Sequence, residues 1–298
     1  MSAPAVLLIA FGGPTQPDEI RPFLVNVTRG RAIPPERLEA VAQHYEEIGG
    51  RSPLNALTFR QADALRALLP DVPVYVGMRN WAPYLADVLA RMADDGVRDA
   101  LGLILSPHAT EASRERYMET VAAGCAALGN RAPRIRWAPD WHRHPDFIAA
   151  WSESVGAALA TVPADAPLVF TAHSIPVAAA DASPYVGQIE ESAAAVAAAL
   201  GGRPWQLAWQ SRSGNPRDPW LEPDVEDVIR RLGADGVRHV VVAPIGFVCD
   251  HVEVLYDLDV AAQRTARAAG VTLVRAATPN DHPRFVRMLA DVVRSASA

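Results

Sequence analysis

The chain has 298 residues, 28 basic and 34 acidic side chains, and a formal net charge of −6. Every basic residue is arginine, which excludes in standard form the mechanisms that need a lysine amine: a phosphate-binding P-loop, Schiff-base catalysis and protein-kinase phosphoryl transfer. The mild acidity and the lack of an arginine run argue against a nucleic-acid surface, and no apolar stretch reaches the ~18 residues of a membrane span. Codon bias in a GC-rich genome is the simplest source of the missing lysine, since Ala, Pro and Arg are all abundant. A hydrophobic share of 50% supports a sizeable core, at a length that fits one large or two medium domains. Met1-Ser2-Ala3-Pro4 leads straight into an apolar segment, which reads against a signal peptide. Cys125 and Cys249 lie far apart and read as reduced thiols of a cytoplasmic protein; two cysteines cannot supply the four ligands of an ordinary iron–sulfur cluster.

In chain order, the first buried strand is predicted over 6–11, where the run is continuously aliphatic. Helical patterns over 35–48 and 54–69 follow, then a strand at 74–76, a helix at 83–93, a strand at 100–105, a helix at 109–127 and a strand at 135–137. The second half reads as helix 145–160, strand 168–171, helix 185–200, strand 206–209, helix 223–232, strand 239–243, helix 250–268, strand 272–274 and helix 282–295. Such alternation predicts α/β architecture with mostly parallel sheets.

The halves echo each other. Val88-Leu89-Ala90-Arg91-Met92-Ala93-Asp94-Asp95-Gly96-Val97-Arg98 resembles Val228-Ile229-Arg230-Arg231-Leu232-Gly233-Ala234-Asp235-Gly236-Val237-Arg238, 140 residues later. A shorter echo sets Ala10-Phe11-Gly12-Gly13-Pro14 against Ala172-His173-Ser174-Ile175-Pro176, each after an aliphatic strand. Two similar α/β halves are expected, divided near 150–165, and their strand ends are where open α/β sheets bind ligands.

Two segments could carry chemistry. In Thr171-Ala172-His173-Ser174-Ile175-Pro176 an imidazole sits at the carboxyl edge of a sheet, where it can exchange protons or bind a metal. In Cys249-Asp250-His251-Val252-Glu253-Val254-Leu255-Tyr256-Asp257 a helix is expected to start at Asp250, a good N-cap residue. Asp250, Glu253 and Asp257 would then share one face as a line of carboxylates that needs a positive partner or a proton between its members. Asp250 also reads as a plain cap and Asp257 as a solvated charge. His108 follows a strand and can face the same cleft; His142 and His144 read as packing or surface, and His44 is ambiguous. No Cys-x-x-Cys or His-x-x-x-His pair points to structural zinc, and Gly12-Gly13-Pro14 is not a dinucleotide fingerprint. These residues alone leave open a metal enzyme, a proton-transfer enzyme and a binding protein.

Longer motifs narrow the choice. Tyr45-Glu46-Glu47-Ile48-Gly49-Gly50-Arg51-Ser52-Pro53-Leu54, Thr171-Ala172-His173-Ser174-Ile175-Pro176, Trp209-Gln210-Ser211, Pro219-Trp220-Leu221-Glu222-Pro223-Asp224-Val225 and the segment from Pro244 to Asp257 resemble, in this order, the ferrochelatases, which insert ferrous iron into a porphyrin. The resemblance runs over nearly the whole chain. It implies two Rossmann-like lobes, 1–150 and 151–279, with the helix 280–298 packing back on the first and the porphyrin in a cleft between them. It implies that His173 and Glu253 form the inner metal and proton-transfer site, that Asp257 continues outward, and that Phe11, Arg29, His44, Tyr45, Ser52 and Tyr117 meet the porphyrin. Phe11 stands where many relatives carry a tyrosine that can reach the product iron, and phenylalanine cannot ligate. His44 replaces an arginine of the family pattern, and Ala261 replaces an outer glutamate.

The shortness of the chain, without cluster cysteines or a membrane-binding extension, resembles the Gram-positive type that acts on coproporphyrin III. Protoporphyrin IX, cobalt or nickel chelation into a related tetrapyrrole, and a non-catalytic haem or porphyrin carrier are the alternatives. Ferrous iron is then a substrate, no permanent cofactor is expected, and the location is cytoplasmic with transient haem-pathway partners. With no lysine, porphyrin carboxylates must be met by arginine or histidine, Arg29 first, with Arg31 and Arg51 nearby.

Overall fold

The computed structural model describes residues 4–29, 33–213 and 217–297. The chain divides into two compact units: Met1–Ser106 with Ala112–Pro139 and Phe285–Ala298, and Pro107–Glu111 with Asp140–Arg284. The helix Pro145–Leu159 therefore belongs to the second unit, and the division falls near 140 rather than 150. Its Phe147, Ala150, Trp151 and Val155 are buried against the helix Tyr185–Ala199 and a strand of that unit. The last helix, Pro283–Ser297, joins the first unit from Phe285 on and buries Phe285, Val286, Met288, Leu289, Val292 and Val293.

The first unit holds β1 (Ala5–Ala10), β2 (Val74–Met78), β3 (Asp99–Ile104) and β4 (Arg134–Trp137), all parallel in the order β2-β1-β3-β4. All six residues of β1 are buried, which explains its unbroken aliphatic run. The second unit repeats the pattern with β5 (Leu168–His173), β6 (Trp205–Gln210), β7 (His239–Ala243) and β8 (Thr272–Arg275), in the order β6-β5-β7-β8. The long sequence echo maps onto this repeat. Helices Leu85–Asp94 and Val225–Ala234 occupy equivalent places, as do β3 and β7, each pair offset by 140 residues. In each sheet the chain order reverses between its first strand and its third, so the carboxyl ends of β1 and β5 border switch points, the places where such sheets hold ligands.

Two departures from the sequence reading have simple causes. The helix Ile20–Thr28 is not signalled, because Pro22 and the β-branched Val25, Val27 and Thr28 weaken its pattern. Proline is tolerated in a first turn, and Ile20, Phe23 and Leu24 are buried along one stripe. The expected helix 250–268 is three pieces: Val252–Leu255, a π-helical stretch Asp257–Ala262, and Gln263–Ala268. Among the described residues no helix is long and apolar enough to cross a membrane.

Gly233 separates the repeats at one point. Its counterpart 140 residues earlier is Ala93, yet a Cβ at Gly233 would lie 2.7 Å from the Ala269 carbonyl oxygen and 2.8 Å from the Ala269 Cβ. In an open helix, Gly→Ala gains ~1 kcal/mol of helix propensity. Here overpacking against backbone, on the order of 1–3 kcal/mol, outweighs it. Gly233→Ala is expected to lower the thermal midpoint; a raised midpoint in a melting experiment would show that the helix at 263–268 yields freely.

Candidate active site

The second unit brings His173, Glu253 and Asp257 together. His173 is the last residue of β5, paired with Gln210 of β6, so its ring emerges at the carboxyl edge of the sheet. After β7 the chain turns through Gly246, whose N–H donates to the Thr171 carbonyl at 3.1 Å. A Cβ on Gly246 would sit 2.9 Å from the Ala172 Cα, so only glycine lets this loop lie flat on β5. The loop then delivers His251 and the short helix with Glu253 to the same edge. The Gln210 side-chain amide donates to the Glu253 carbonyl and ties that helix to β6.

Hydrogen bonding sets the imidazole chemistry. His173 Nδ1 faces the Ser174 carbonyl at 2.5 Å and must donate to it, because a carbonyl only accepts. Nε2 is thereby left toward Glu253, 3.4 Å from Oε1. His251 is arranged alike: Nδ1 lies 3.0 Å from the Cys249 carbonyl and Nε2 lies 3.3 Å from the other oxygen, Glu253 Oε2. Two imidazoles thus flank one carboxylate. Burial alone would lower the His173 pKa, but the Glu253 charge and hydrogen bond, with Ser174 and Asp257, outweigh it and push it up to about 9. Burial would raise Glu253, yet His173 and His251 hold its carboxyl well below the usual range. The resting pair is imidazolium and carboxylate.

Asp257 lies one turn on, at the start of the π-helical stretch, a feature common at functional sites. Burial raises its pKa, a Ser211 hydrogen bond opposes this, and the Glu253 charge adds to it; the result is about 7. Near neutrality Asp257 can therefore hold or pass a proton. Ser211, just past β6, adopts φ 64°, a strained choice for a residue other than glycine, and donates to Asp257 Oδ2. Tyr185 donates to the His173 carbonyl at 3.0 Å, and burial raises its hydroxyl pKa.

Asp250 does not join the line of carboxylates. The helix begins at Val252, so the assumed helical spacing from Asp250 does not apply. Its carboxylate is instead held by Arg275 Nη1 at 3.2 Å, Thr278 Oγ1 at 2.9 Å and Asn280 Nδ2 at 3.3 Å. Arg275 also grips Asp259 through Nε at 2.7 Å and Nη2 at 2.9 Å. His108 is packed away from solvent: it is buried, lies 3.1 Å from Ser192 Oγ, and burial pushes its pKa down to about 3. His142 is also buried and pairs with Glu191 at 2.8 Å. Among the described residues no group of three or more His, Cys, Asp or Glu is arranged to hold a metal ion.

The residues implied as porphyrin contacts lie in the first unit. Phe11 follows β1, is 39% exposed and meets Phe23 edge-on at 6.3 Å; Phe23 meets Tyr45 at 6.0 Å. Ser52 is buried, its N–H bonded to the Pro14 carbonyl at 2.7 Å, and it fills the space a Cβ on Gly13 would need. Tyr117 is buried in the core with Ile9 and Leu85. Arg29 is exposed and donates to Asn26 Oδ1 at 2.9 Å, Arg51 is also exposed, and Arg31 lies outside the described residues. Burial lowers the His44 pKa below 6.5, so at neutral pH it is not the cation that the family's arginine would be. Sequence reasoning missed His251 and Ser211. His251 had a signal, standing two residues before Glu253, whereas the left-handed backbone at Ser211 has none.

The ion pair has a defined pH range. The His173 pKa is raised above its ordinary 6.5, so its share of stability is complete below 6.5 and is lost as pH rises through about 9. Glu253 is lowered, so its share is present above the ordinary 4.5 and is lost as pH falls through the depressed folded value. Histidine NMR on metal-free protein is expected to show the His173 ring titrating near 9, and Glu253→Gln should bring it toward or below 6.5. A wild-type titration near 6.5 would contradict the pair.

A family model described as Ferrochelatase matches residues 3–297. The coproporphyrin III ferrochelatase of Mycobacterium marinum is 47% identical over 296 residues, covering 98% of this chain and 87% of that protein. The coproporphyrin III ferrochelatase of Mycolicibacterium smegmatis is 45% identical over 304 residues, with 98% and 89% covered. Among solved structures, SirB of Bacillus subtilis with Fe3+ aligns with TM-score 0.64 at 10% identity, covering 99% of this chain and 96% of that one. CbiX, the terminal enzyme of sirohaem biosynthesis in denitrifying bacteria, aligns with TM-score 0.57 at 18% identity, covering 99% and 100%. These last two share the fold.

Proposed function

Because this chain belongs to the ferrochelatase family, a family of metal-chelating lyases, we propose that it inserts ferrous iron into coproporphyrin III to give coprohaem for haem biosynthesis. The choice of porphyrin is supported by near-full-length identity to relatives bearing that name. The observation that carries the chemistry is His173 Nε2 at 3.4 Å from Glu253 Oε1, at the carboxyl edge of β5.

Metalation replaces two pyrrole protons by one Fe2+, so the protein must hold the ion and accept both protons. In the resting pair, Nε2 already carries a proton. Ferrous iron arriving at Glu253 and Nε2 takes that proton's place, since a ligating imidazole must be neutral. In this reading Asp257, with a pKa near 7, receives it and passes it to water. When iron moves to the porphyrin nitrogens, the vacated imidazole takes one pyrrole proton and, in this reading, Asp257 takes the other. His251 keeps Glu253 oriented throughout by facing its second oxygen. Binding energy from the rest of the macrocycle would bend it and expose a nitrogen lone pair.

No resident cofactor is needed, and with two cysteines in the chain an iron–sulfur cluster is not part of this reading. The free thiols at Cys125 and Cys249 support a cytoplasmic site of action, with porphyrin-pathway enzymes as transient partners.

The test is anaerobic mixing of protein, Fe2+ and porphyrin, followed by loss of free-porphyrin fluorescence. Coproporphyrin III is expected to be metalated faster than protoporphyrin IX. His173→Ala should lower kcat about 100-fold or more with little change in melting temperature. Near-wild-type turnover by this variant would remove His173 from its role, and tight wild-type binding without metalation would make the protein a carrier.

A further inference from the structure

Arg79 is the feature of the first unit that its fold leaves unexplained. It follows β2 at the carboxyl edge of the sheet, where its backbone N–H donates to the Ala10 carbonyl at 3.0 Å. The next residue, Asn80, binds the Phe11 carbonyl through its N–H at 2.9 Å and its side-chain amide at 3.3 Å. Arg79 is thereby fixed beside Phe11. Its guanidinium lies over the Tyr117 ring, 5.7 Å from the centroid.

What it lacks is an anion. Among the described residues no carboxylate pairs with Arg79, and its Nε–H is buried with no acceptor. Among the described residues its one side-chain hydrogen bond, Nη1 to Asn80 Oδ1, is long at 3.5 Å. Arg275, also partly buried, shows the usual solution, with Asp250 and Asp259 around it. A guanidinium cannot shed its charge, and a buried unsatisfied donor is costly, so such a group calls for an acceptor from outside the chain. Tyr117, under the guanidinium, and Phe11, whose carbonyl Asn80 holds, are among the positions that the family resemblance assigns to the porphyrin. Burial lowers the pKa of His44, another position of the first unit that the resemblance assigns to the porphyrin, which makes it the poorer cation for a carboxylate.

We propose that Arg79 binds a carboxylate of the tetrapyrrole substrate through its Nε–H and Nη groups and so sets the seat of the macrocycle on the first unit. This rests on the porphyrin reading above and extends it to a specificity-determining residue. Carboxylate geometry matches the guanidinium fork, and the Tyr117 ring holds the fork in plane.

The test compares coproporphyrin III with its tetramethyl ester, which keeps the ring and removes the charges. Arg79→Gln is expected to weaken coproporphyrin III binding, read by fluorescence quenching, by about tenfold or more, and ester binding by less than about twofold. In the metalation assay KM should rise by a similar factor, with kcat at saturation falling by less than about threefold. Arg79→Lys, which keeps charge and loses the fork, should recover part of the affinity. A second readout needs no loss-of-charge variant: in wild-type protein the Arg79 Nε–H proton resonance, assigned from Arg79→Lys, should move on adding coproporphyrin III and stay put with the ester. Equal losses for both porphyrins, or a resonance indifferent to the acid, would overturn the proposal. If the wild type metalates coproporphyrin III while Arg79→Gln binds it normally, only the Arg79 inference fails; if the wild type neither binds nor metalates it, the porphyrin reading fails with it.

Discussion

A carboxylate withdrawn from water must be met by donors or cations, or it takes up a proton. Glu253 is met on both oxygens by imidazoles, and much of the second unit is arranged to bring this about. β5 carries His173 to the sheet edge, the flat turn at Gly246 leads the chain back toward it, and Gln210 anchors the helix that bears Glu253. Backbone carbonyls of Ser174 and Cys249 fix each ring by its Nδ1, so both Nε2 atoms face the same carboxylate. The site is assembled from strand ends and main-chain groups, which are rigid, rather than from long flexible side chains.

The two units use one topology for different ends. Phe11 and His173 terminate equivalent central strands, yet one offers an aromatic edge and the other a titrating base. In the first unit the loop after β2 holds Arg79 and Asn80 against the end of β1; in the second the end of β6 holds Gln210 and Ser211 toward the helix after β7. A duplicated scaffold that keeps its strands and its helix after the second strand can therefore place different side chains at equivalent edges, aromatic and arginine in one copy, imidazole and carboxylate in the other. This follows from where the side chains lie on the sheets.

The strands were readable in the sequence because parallel strands buried on both faces produce uninterrupted aliphatic runs, as in Val240-Val241-Val242. The duplication was readable because helix and strand recur at a fixed offset. His173 and Glu253 could be singled out, since an imidazole at a strand end and a carboxylate between valines are both out of place in a bland fold. Geometry within loops was not readable. Asp250 looked like the first turn of a helix, but its partners Arg275, Thr278 and Asn280 lie 25 to 30 residues away. The π-helical stretch behind Asp257 and the left-handed backbone of Ser211 depend on the same kind of distant contact. The His173 charge state was not readable for a related reason, because it follows from which ring nitrogen meets a carbonyl, a matter of ångströms.

The absence of lysine acquires a chemical meaning at this site. Every permanent cation in the chain is an arginine, and a guanidinium stays charged across the whole working range of pH. Had an arginine neutralised Glu253, an incoming Fe2+ would have had to compete with a fixed positive charge that cannot depart. The sheet-edge arginine of the second unit, Arg275, is instead taken up by Asp250 and Asp259, and among the described residues no arginine pairs with Glu253. The neutralising charge is thus a proton on imidazole, the one cation here that, in the proposed reaction, would be traded for a metal ion and later regained from a pyrrole.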